Sequence, residues 1–384
     1  MLSSIEMQKE HYSAVWRLAH YNNFLDIIDN EQVWPFFLSN GIAHMMGAAQ
    51  NYTDGSANFG DKNKTSREIE TTTREFKELC DIAGAEFVQS ALQPDIGNSD
   101  YVEVADKKII SHDLKLVFNA WRLSEHLSNR REDPLIIAEI GGGYGALVEK
   151  LNPLFKNSKI IIFDLPEANA IQTYFLHATM AEKKFFYFED FKKTGIQGFL
   201  DGDYEIALLP SFTADSLSDK SIDLFINIRS MMEMNLKVIK DYFQIIHRTI
   251  RDDGSFYCVN RYHKDEVGVP IQIKHYPFDD RWYFTHSAPL WIQTRTHELI
   301  ANRTEKPVVL NGRKPLFEIY PYNMGEVWYD VAAGFKKLGA IIFGLGYGSG
   351  NAGIIANLTG LSDNPDNPLR RCRRWLGRVI KQST

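Results

Sequence analysis

Residues 134–151 read PLIIAEIGGGYGALVEKL: a short apolar run, a turn with glycine at 141, 142, 143 and 145, then an amphipathic ALVEKL. An apolar run this short, closed by glycines, reads as a strand buried on both faces. Working outward, KIIIFDLPE (159–167) repeats the pattern and leads into a helical NAIQTYFLHAT (169–179). YEIALLP (204–210), SIDLFINI (221–228) and GSFYCVNRY (254–262) are further short runs, with a helical LKVIKDYFQIIHRTI (236–250) between the last two. Short apolar strands alternating with helices predict βαβ units and a parallel sheet covered on both faces. Five such strands span about 135–262.

The flanks read differently. Residues 1–130 are helix-rich, a cap or dimerisation layer that would make a homo-oligomer. Ser3 and Glu6 fit a capping box ahead of Tyr12, Val15, Trp16 and Ala19. A polar loop covers 51–64, and Thr65 with Glu68 predicts a helix running to about Cys80. Ser111 is expected to cap a third helix whose apolar face is Leu114, Val117, Phe118 and Trp121. The sheet domain is expected over 131–310, and 311–384 is a C-terminal extension.

Composition narrows the class. With 44% hydrophobic and 24% charged residues among 384, the chain is globular. A net charge of -6 argues against a whole-surface nucleic-acid binder. Cys80, Cys258 and Cys372 stand far apart, with no CxxC and no neighbouring His at ligand spacing, so a zinc cluster or disulfide framework is not expected. The polar start MLSSIEMQKE does not read as a signal peptide, so the expectation is a cytoplasmic chain.

The glycine turn is where a cofactor belongs. Glycines between a strand and a helix let backbone approach a ligand closely and present helix N-terminal amides to it. Asp164, at the end of the next strand, can accept hydrogen bonds from both ribose hydroxyls of an adenosine. Read as Gly141-x-Gly143-x-x-Ala146, the turn is similar to the NAD fingerprint. Read as an acidic residue followed by Gly141-x-Gly143-x-Gly145, it resembles the first motif of class I S-adenosylmethionine (SAM) methyltransferases. Glu139 separates the two. A carboxylate before the glycines repels a pyrophosphate, whereas SAM carries a sulfonium and an α-ammonium. The second glycine run, Gly344 to Gly350, lacks both acidic partners.

EIGGGYGALVEKL, FDLPEANAIQTYFL, NIRSMMEM, FYCVNRY and HYPFDDRW together resemble the sugar O-methyltransferase family, over roughly 110–305. The resemblance implies a class I methyltransferase Rossmann-like sheet and an acceptor sugar in a surface polysaccharide or its precursor. It implies that Gly141, Gly143 and Gly145 cradle the methionine moiety, that Glu139 lies beneath it, and that Asp164 binds ribose. Leu165 would pack on adenine, with Pro210 and Ser211 bordering the same pocket. Asn227 and Ile228 would stand beside the transferable methyl.

Methyl transfer to a weakly acidic hydroxyl is helped by a base or a stabilising cation. Glu233, in SMMEM, and His263, in NRYH, are the candidate bases at the carboxyl ends of strands. Arg229 and Arg261 flank that edge and could hold a carboxylated sugar or a phosphate. His275, Asp279 and Trp282 are expected as an acceptor wall, and Asp252-Asp253-Gly254 as a turn before the fifth strand. No divalent-metal ligand set stands out, and metal dependence stays open. A non-sugar acceptor and a non-catalytic SAM-binding scaffold are the alternative readings.

The tail has a character of its own. Leu369, Cys372, Leu376 and Val379 share one helical face, and Arg371, Arg374, Arg378 and Lys381 another. A basic amphipathic helix over 369–384 suits an anionic membrane surface or a protein contact. The tail's basic residues have no acidic counterpart, so the rest of the chain is more acidic than the net charge of -6 suggests.

Overall fold

A computed structural model describes residues 65–94, 96, 101–264, 271–293 and 295–308. The first predicted helix, the 51–64 loop, the second glycine run and the basic tail lie outside the described residues. So does the side chain of His263.

In chain order the elements begin with α1 (Ser66–Ala83) and α2 (Ala85–Ser90). Thr65 caps α1 as expected: its hydroxyl accepts from the Glu68 N–H at 3.2 Å, and Glu68 accepts the Thr65 N–H at 2.8 Å. Gly84, with φ 87°, ends the helix three residues beyond Cys80. A hairpin follows, β1 (Val102–Val104) and β2 (Lys107–Ile109), which the helix-rich reading did not foresee. Its turn, Ala105 and Asp106, takes positive φ and carries no glycine to announce it. Next is α3 (Ser111–His126), whose N-cap is Ile110. Ser111 is therefore its first helical residue and makes no side-chain cap, contrary to expectation.

The sheet domain comprises β3 (Ile136–Ile140), α4 (Ala146–Leu151), β4 (Lys159–Asp164), α5 (Pro166–Thr179), β5 (Phe185–Tyr187) and α6 (Phe188–Asp201). It continues with β6 (Ile206–Pro210), β7 (Ile222–Ile228), α7 (Leu236–Thr249) and β8 (Ile250–Arg261). The pair β9 (His263–Lys264) and β10 (Ile271–Gln272) precedes the long hairpin β11 (Trp282–Pro289) and β12 (Thr296–Arg303). The strand order is β11-β12-β8-β7-β3-β4-β6-β5. Strands β3 to β8 run parallel, while β12 is antiparallel to both β8 and β11. A mostly parallel sheet ending in an antiparallel hairpin is the Rossmann-like arrangement that the resemblance implies.

Strand alternation divides the core in two. Ile137, Ile160, Ile162, Leu208, Leu224 and Ile226 face one side, packing with α1, α3, α4 and α5 through Leu79, Leu114, Phe118, Leu147, Ile171 and Phe175. Ala138, Ile161, Phe163, Leu209, Phe225 and Phe256 face the other, against α6 and α7 through Phe199, Ile239, Phe243 and Ile246. Each of these isoleucine, leucine and phenylalanine side chains contributes about 1.5–3 kcal/mol when removed from water. The described part of the N-terminal region thus shares a core with the sheet.

Two expectations about the far edge change. Asp252 and Asp253 lie inside β8, which begins at Ile250, so they form no turn ahead of it. Trp282 is fully buried and pairs with Arg303, while Ser255 of β8 pairs with Asn302. That places Trp282 at the amino end of β8. Asp279 sits there too, accepting from Arg303 Nη2 at 3.0 Å. An acceptor wall of Asp279 and Trp282 is therefore ruled out by strand direction; the sequence hid this because β12 returns antiparallel. His275 is exposed, one residue before the buried Tyr276.

One buried ion pair ties the N-terminal helices to the sheet domain. Lys150 Nζ of α4 lies 2.7 Å from Asp113 Oδ1 of α3, both essentially without solvent contact, and the Gln93 N–H donates to Asp113 Oδ2 at 2.8 Å. Removing one member strands the other charge. Asp113→Ala is expected to cost about 3–5 kcal/mol in urea unfolding. The double change Asp113→Leu with Lys150→Met is expected to recover most of that loss; equal loss in both would contradict the pairing.

Candidate active site

Gly141, Gly143 and Gly145 all adopt positive φ, at 76°, 59° and 94°. Gly141 has a second reason to be glycine: a Cβ there would lie 2.2 Å from Ser230 Oγ. Ser230 Oγ donates to the Ile140 carbonyl at 2.8 Å, so the end of β7 is pinned against the start of the glycine turn. A Cβ on Gly143 would meet nothing within 4 Å, so its Cα faces open space. The glycine backbone leads directly into α4, whose N-cap is Gly145.

Glu139 lies under this turn. It is 3% exposed, and its Oε2 has no hydrogen-bond partner among the described residues. A Cβ on Gly142 would come within 3.0 Å of that oxygen, which fixes the carboxyl beneath the loop. Burial, and then the charge of Asp164, push the Glu139 carboxyl up to about 8. Near neutral pH such a group is largely protonated, and an ammonium or sulfonium held against it favours release of that proton.

Asp164 ends β4, in register with Pro210 of β6. Its Oδ2 accepts from the Gly143 N–H at 3.1 Å and from Gln172 Nε2 at 3.0 Å; its Oδ1 accepts from the Leu165 N–H at 2.8 Å. Gln172 also donates to the Gly143 carbonyl at 2.9 Å, so one buried amide holds the acidic strand end to the glycine turn. Leu165 is half-buried just beyond, as N-cap of α5. Ser211 is nearly buried, and its hydroxyl bonds Tyr242 of α7. The glycines, Glu139, Asp164, Leu165, Pro210 and Ser211 thus gather at one sheet edge.

Asn227 is placed differently from its expected role. It is fully buried, and its amide donates to the Ile140 carbonyl at 2.8 Å and to Ser230 Oγ at 2.5 Å. Its Oδ1 accepts from Met231 N at 3.2 Å and from Asn260 Nδ2 at 2.8 Å. The side chain is committed to holding strand ends, leaving its backbone and half-buried Ile228 at the edge. Asn260 completes the knot by accepting the Met232 N–H at 3.1 Å. That knot shapes the turn at 231–233, where Glu233 is half-buried. The β9 strand bearing His263 lies against this turn.

Arg229 follows β7 with φ 63°, a left-handed conformation rare for a long side chain, and its N–H donates to the Val259 carbonyl at 2.7 Å. Burial holds its guanidinium below the usual arginine range, Glu233 opposing this and Arg261 adding to it.

Several residues at this edge were not foreseen. His112, at the start of α3, lies tilted against Tyr144 of the glycine turn, with ring centroids 6.4 Å apart and planes at 45°. Burial, then Arg229, Lys115 and Lys150, push it down to about 4. Trp291 lies in the β11–β12 turn, beyond the pairing of Thr296 with Arg261, and so at the carboxyl end of β8. It is 41% exposed and packs 5.8 Å from Phe118. Alternation of buried Leu290 and Ile292 around Trp291 is a signal the sequence did carry. Among the described residues, no group of three or more His, Cys, Asp or Glu could hold a metal ion. No described helix is long and apolar enough to cross a membrane.

No family model matches the chain. No curated protein matches it either. Solved structures do. The 1,6-didemethyltoxoflavin-N1-methyltransferase of Burkholderia thailandensis, solved with S-adenosylhomocysteine, is 12% identical over 50% of this chain and 79% of its own, with a TM-score of 0.33. A SAM-dependent methyltransferase from Aquifex aeolicus is 11% identical over 47% of this chain and 89% of its own, with a TM-score of 0.29. Scores this low add nothing to what the strand order shows.

Glu139 gives the site a pH signature. Its carboxyl is held above its ordinary value of 4.5, so the folded state retains a proton that the unfolded state releases. The resulting stability is complete below about pH 4.5 and is lost as pH rises through about 8, at up to about 1.4 kcal/mol per pH unit. Glu139→Gln is expected to remove this slope. Urea midpoints across that range check it; parallel curves for the two proteins would contradict the assignment.

Proposed function

We infer that the chain is a SAM-dependent O-methyltransferase whose acceptor is a sugar hydroxyl. The observation that carries the cofactor is Glu139, a buried carboxyl with an unpartnered oxygen directly beneath a left-handed glycine turn. A cationic methionine moiety favours ionisation of that carboxyl and is held by the carboxylate, whereas a pyrophosphate disfavours its ionisation. Asp164, held by Gln172 and the Gly143 amide, is the acceptor for ribose hydroxyls. SAM supplies an activated methyl group when bound.

The protein's part is alignment and proton handling. The Ser230 and Asn227 bonds to Ile140 hold the glycine turn and the acceptor edge at a fixed separation. Glu233 and His263 remain the candidate bases, on adjacent segments at that edge. The sugar reading is supported by the family resemblance and by Trp291, an exposed flat ring at the same edge, of the kind that packs on the apolar face of a pyranose.

Transfer of a labelled methyl from SAM tests the reading against nucleotide sugars, glycolipids, polysaccharide and phenolic small molecules. Incorporation into a sugar hydroxyl is expected, falling about tenfold or more in Asp164→Ala as cofactor affinity drops. Transfer only to phenols would replace the sugar acceptor. Cofactor binding with no transfer to any acceptor would favour the scaffold.

A further inference from the structure

From 141 to 145 the turn reads Gly-Gly-Gly-Tyr-Gly, so Tyr144 is the only residue in it with a side chain. Its neighbours Gly143 and Gly145 both take positive φ. Glycine backbone loses more conformational freedom on ordering than any other, and a ligand that must order it binds more weakly. Side-chain packing can fix this turn from within only through Tyr144.

The Tyr144 ring is buried and packs edge-on against Phe175 of α5, with centroids 5.0 Å apart. Its hydroxyl donates to Gln93 Oε1 at 2.5 Å. Gln93 is also buried and lies just after α2, in the N-terminal layer. Burial, then Asp113 and Glu149, hold the phenol well above its ordinary range, so it remains a donor near neutral pH.

Gln93 is anchored in its turn. Its N–H donates to Asp113 Oδ2 at 2.8 Å, and Asp113 Oδ1 lies 2.7 Å from Lys150 Nζ of α4. Since α4 begins at Ala146, directly after the glycine turn, these contacts close a ring. It runs from Tyr144 to Gln93, to Asp113, to Lys150 and back along α4. All four residues are buried, where a hydrogen bond is strong and costly to break. Two of them, Gln93 and Asp113, belong to the N-terminal layer. The ring also reaches the ribose acceptor, because the Gly143 N–H donates to Asp164 Oδ2 at 3.1 Å.

We propose that Tyr144 and Gln93 are positioning residues that hold the glycine turn in its ligand-ready form, so that cofactor affinity depends on the N-terminal layer. The proposal rests on the methyltransferase reading for the identity of the cofactor. The Tyr144 side chain is buried among protein groups and acts through the backbone of 143–145. Ordering the turn before the ligand arrives removes that cost from binding.

Calorimetric titration of the full-length protein with S-adenosylhomocysteine, alongside melting temperatures, compares Tyr144→Phe, Gln93→Met and the double variant. Each single change takes a partner from a buried polar group and is expected to lower the melting temperature by about 2–4 °C. The double variant removes both groups and is expected to regain most of that loss. Affinity is expected to fall about fivefold in each single variant and to stay about fivefold down in the double, since all three lack the same bond. A purely structural bond would let affinity recover together with stability. Such recovery, or affinity within about twofold of the wild type throughout, would overturn the proposal. Amide hydrogen exchange at 141–146 reads the clamp with no ligand present. Faster exchange in the double variant is expected, and unchanged exchange would also overturn the proposal. Accelerated exchange together with a wild-type protein that does not bind S-adenosylhomocysteine would leave the clamp standing and overturn the methyltransferase reading instead.

Discussion

The carbonyl of Ile140 accepts hydrogen bonds from both Asn227 and Ser230, and much of the site follows from that contact. It draws the end of β7 so close to the glycine turn that residue 141 has no room for a Cβ. Positive φ at 141, 143 and 145 then turns the chain over Glu139 and back into α4. On the far side Gln172 clamps Asp164 to Gly143. Thus β3, β4 and β7 are bound to one another at their carboxyl ends by a few buried amides. In an open α/β sheet that is where ligands bind.

The same edge carries opposite electrostatic imbalances on its two sides. Among the described residues, the buried Glu139 carboxyl beneath the glycines has one oxygen unpartnered, and the half-buried Arg229 at the end of β7 has its buried Nε unpartnered. They are not each other's partners. Either group would be more stable replaced by an apolar side chain of similar volume.

How much of this the sequence showed depends on range. The strands LIIA, KIIIF, IALLP and DLFINI were legible because parallel strands buried on both faces are continuously apolar. The cofactor edge was legible because its glycines and Asp164 follow directly on two of those strands. Trp282 and Asp279 were misplaced because a linear reading does not reveal that β12 returns antiparallel and reverses the edge. Lys115, His112 and Gln172 were missed because each is a polar residue on an amphipathic helix, where the simple expectation is solvent. Only the fold brings α3 and α5 over the strand ends. Asn227 shows the reverse: at the foreseen position, its side chain serves the backbone.

The central claim is that the glycine turn over Glu139 takes a cationic methionine moiety and not a pyrophosphate. Calorimetric titration of the protein with SAM and with NAD, in two buffers of different ionisation enthalpy near neutral pH, tests it most directly. Because Glu139 is held up to about 8, it is largely protonated before a cation arrives. Binding of SAM with proton release, lost in Glu139→Gln, and no binding of NAD is the result this account predicts. Binding of NAD without binding of SAM would contradict it.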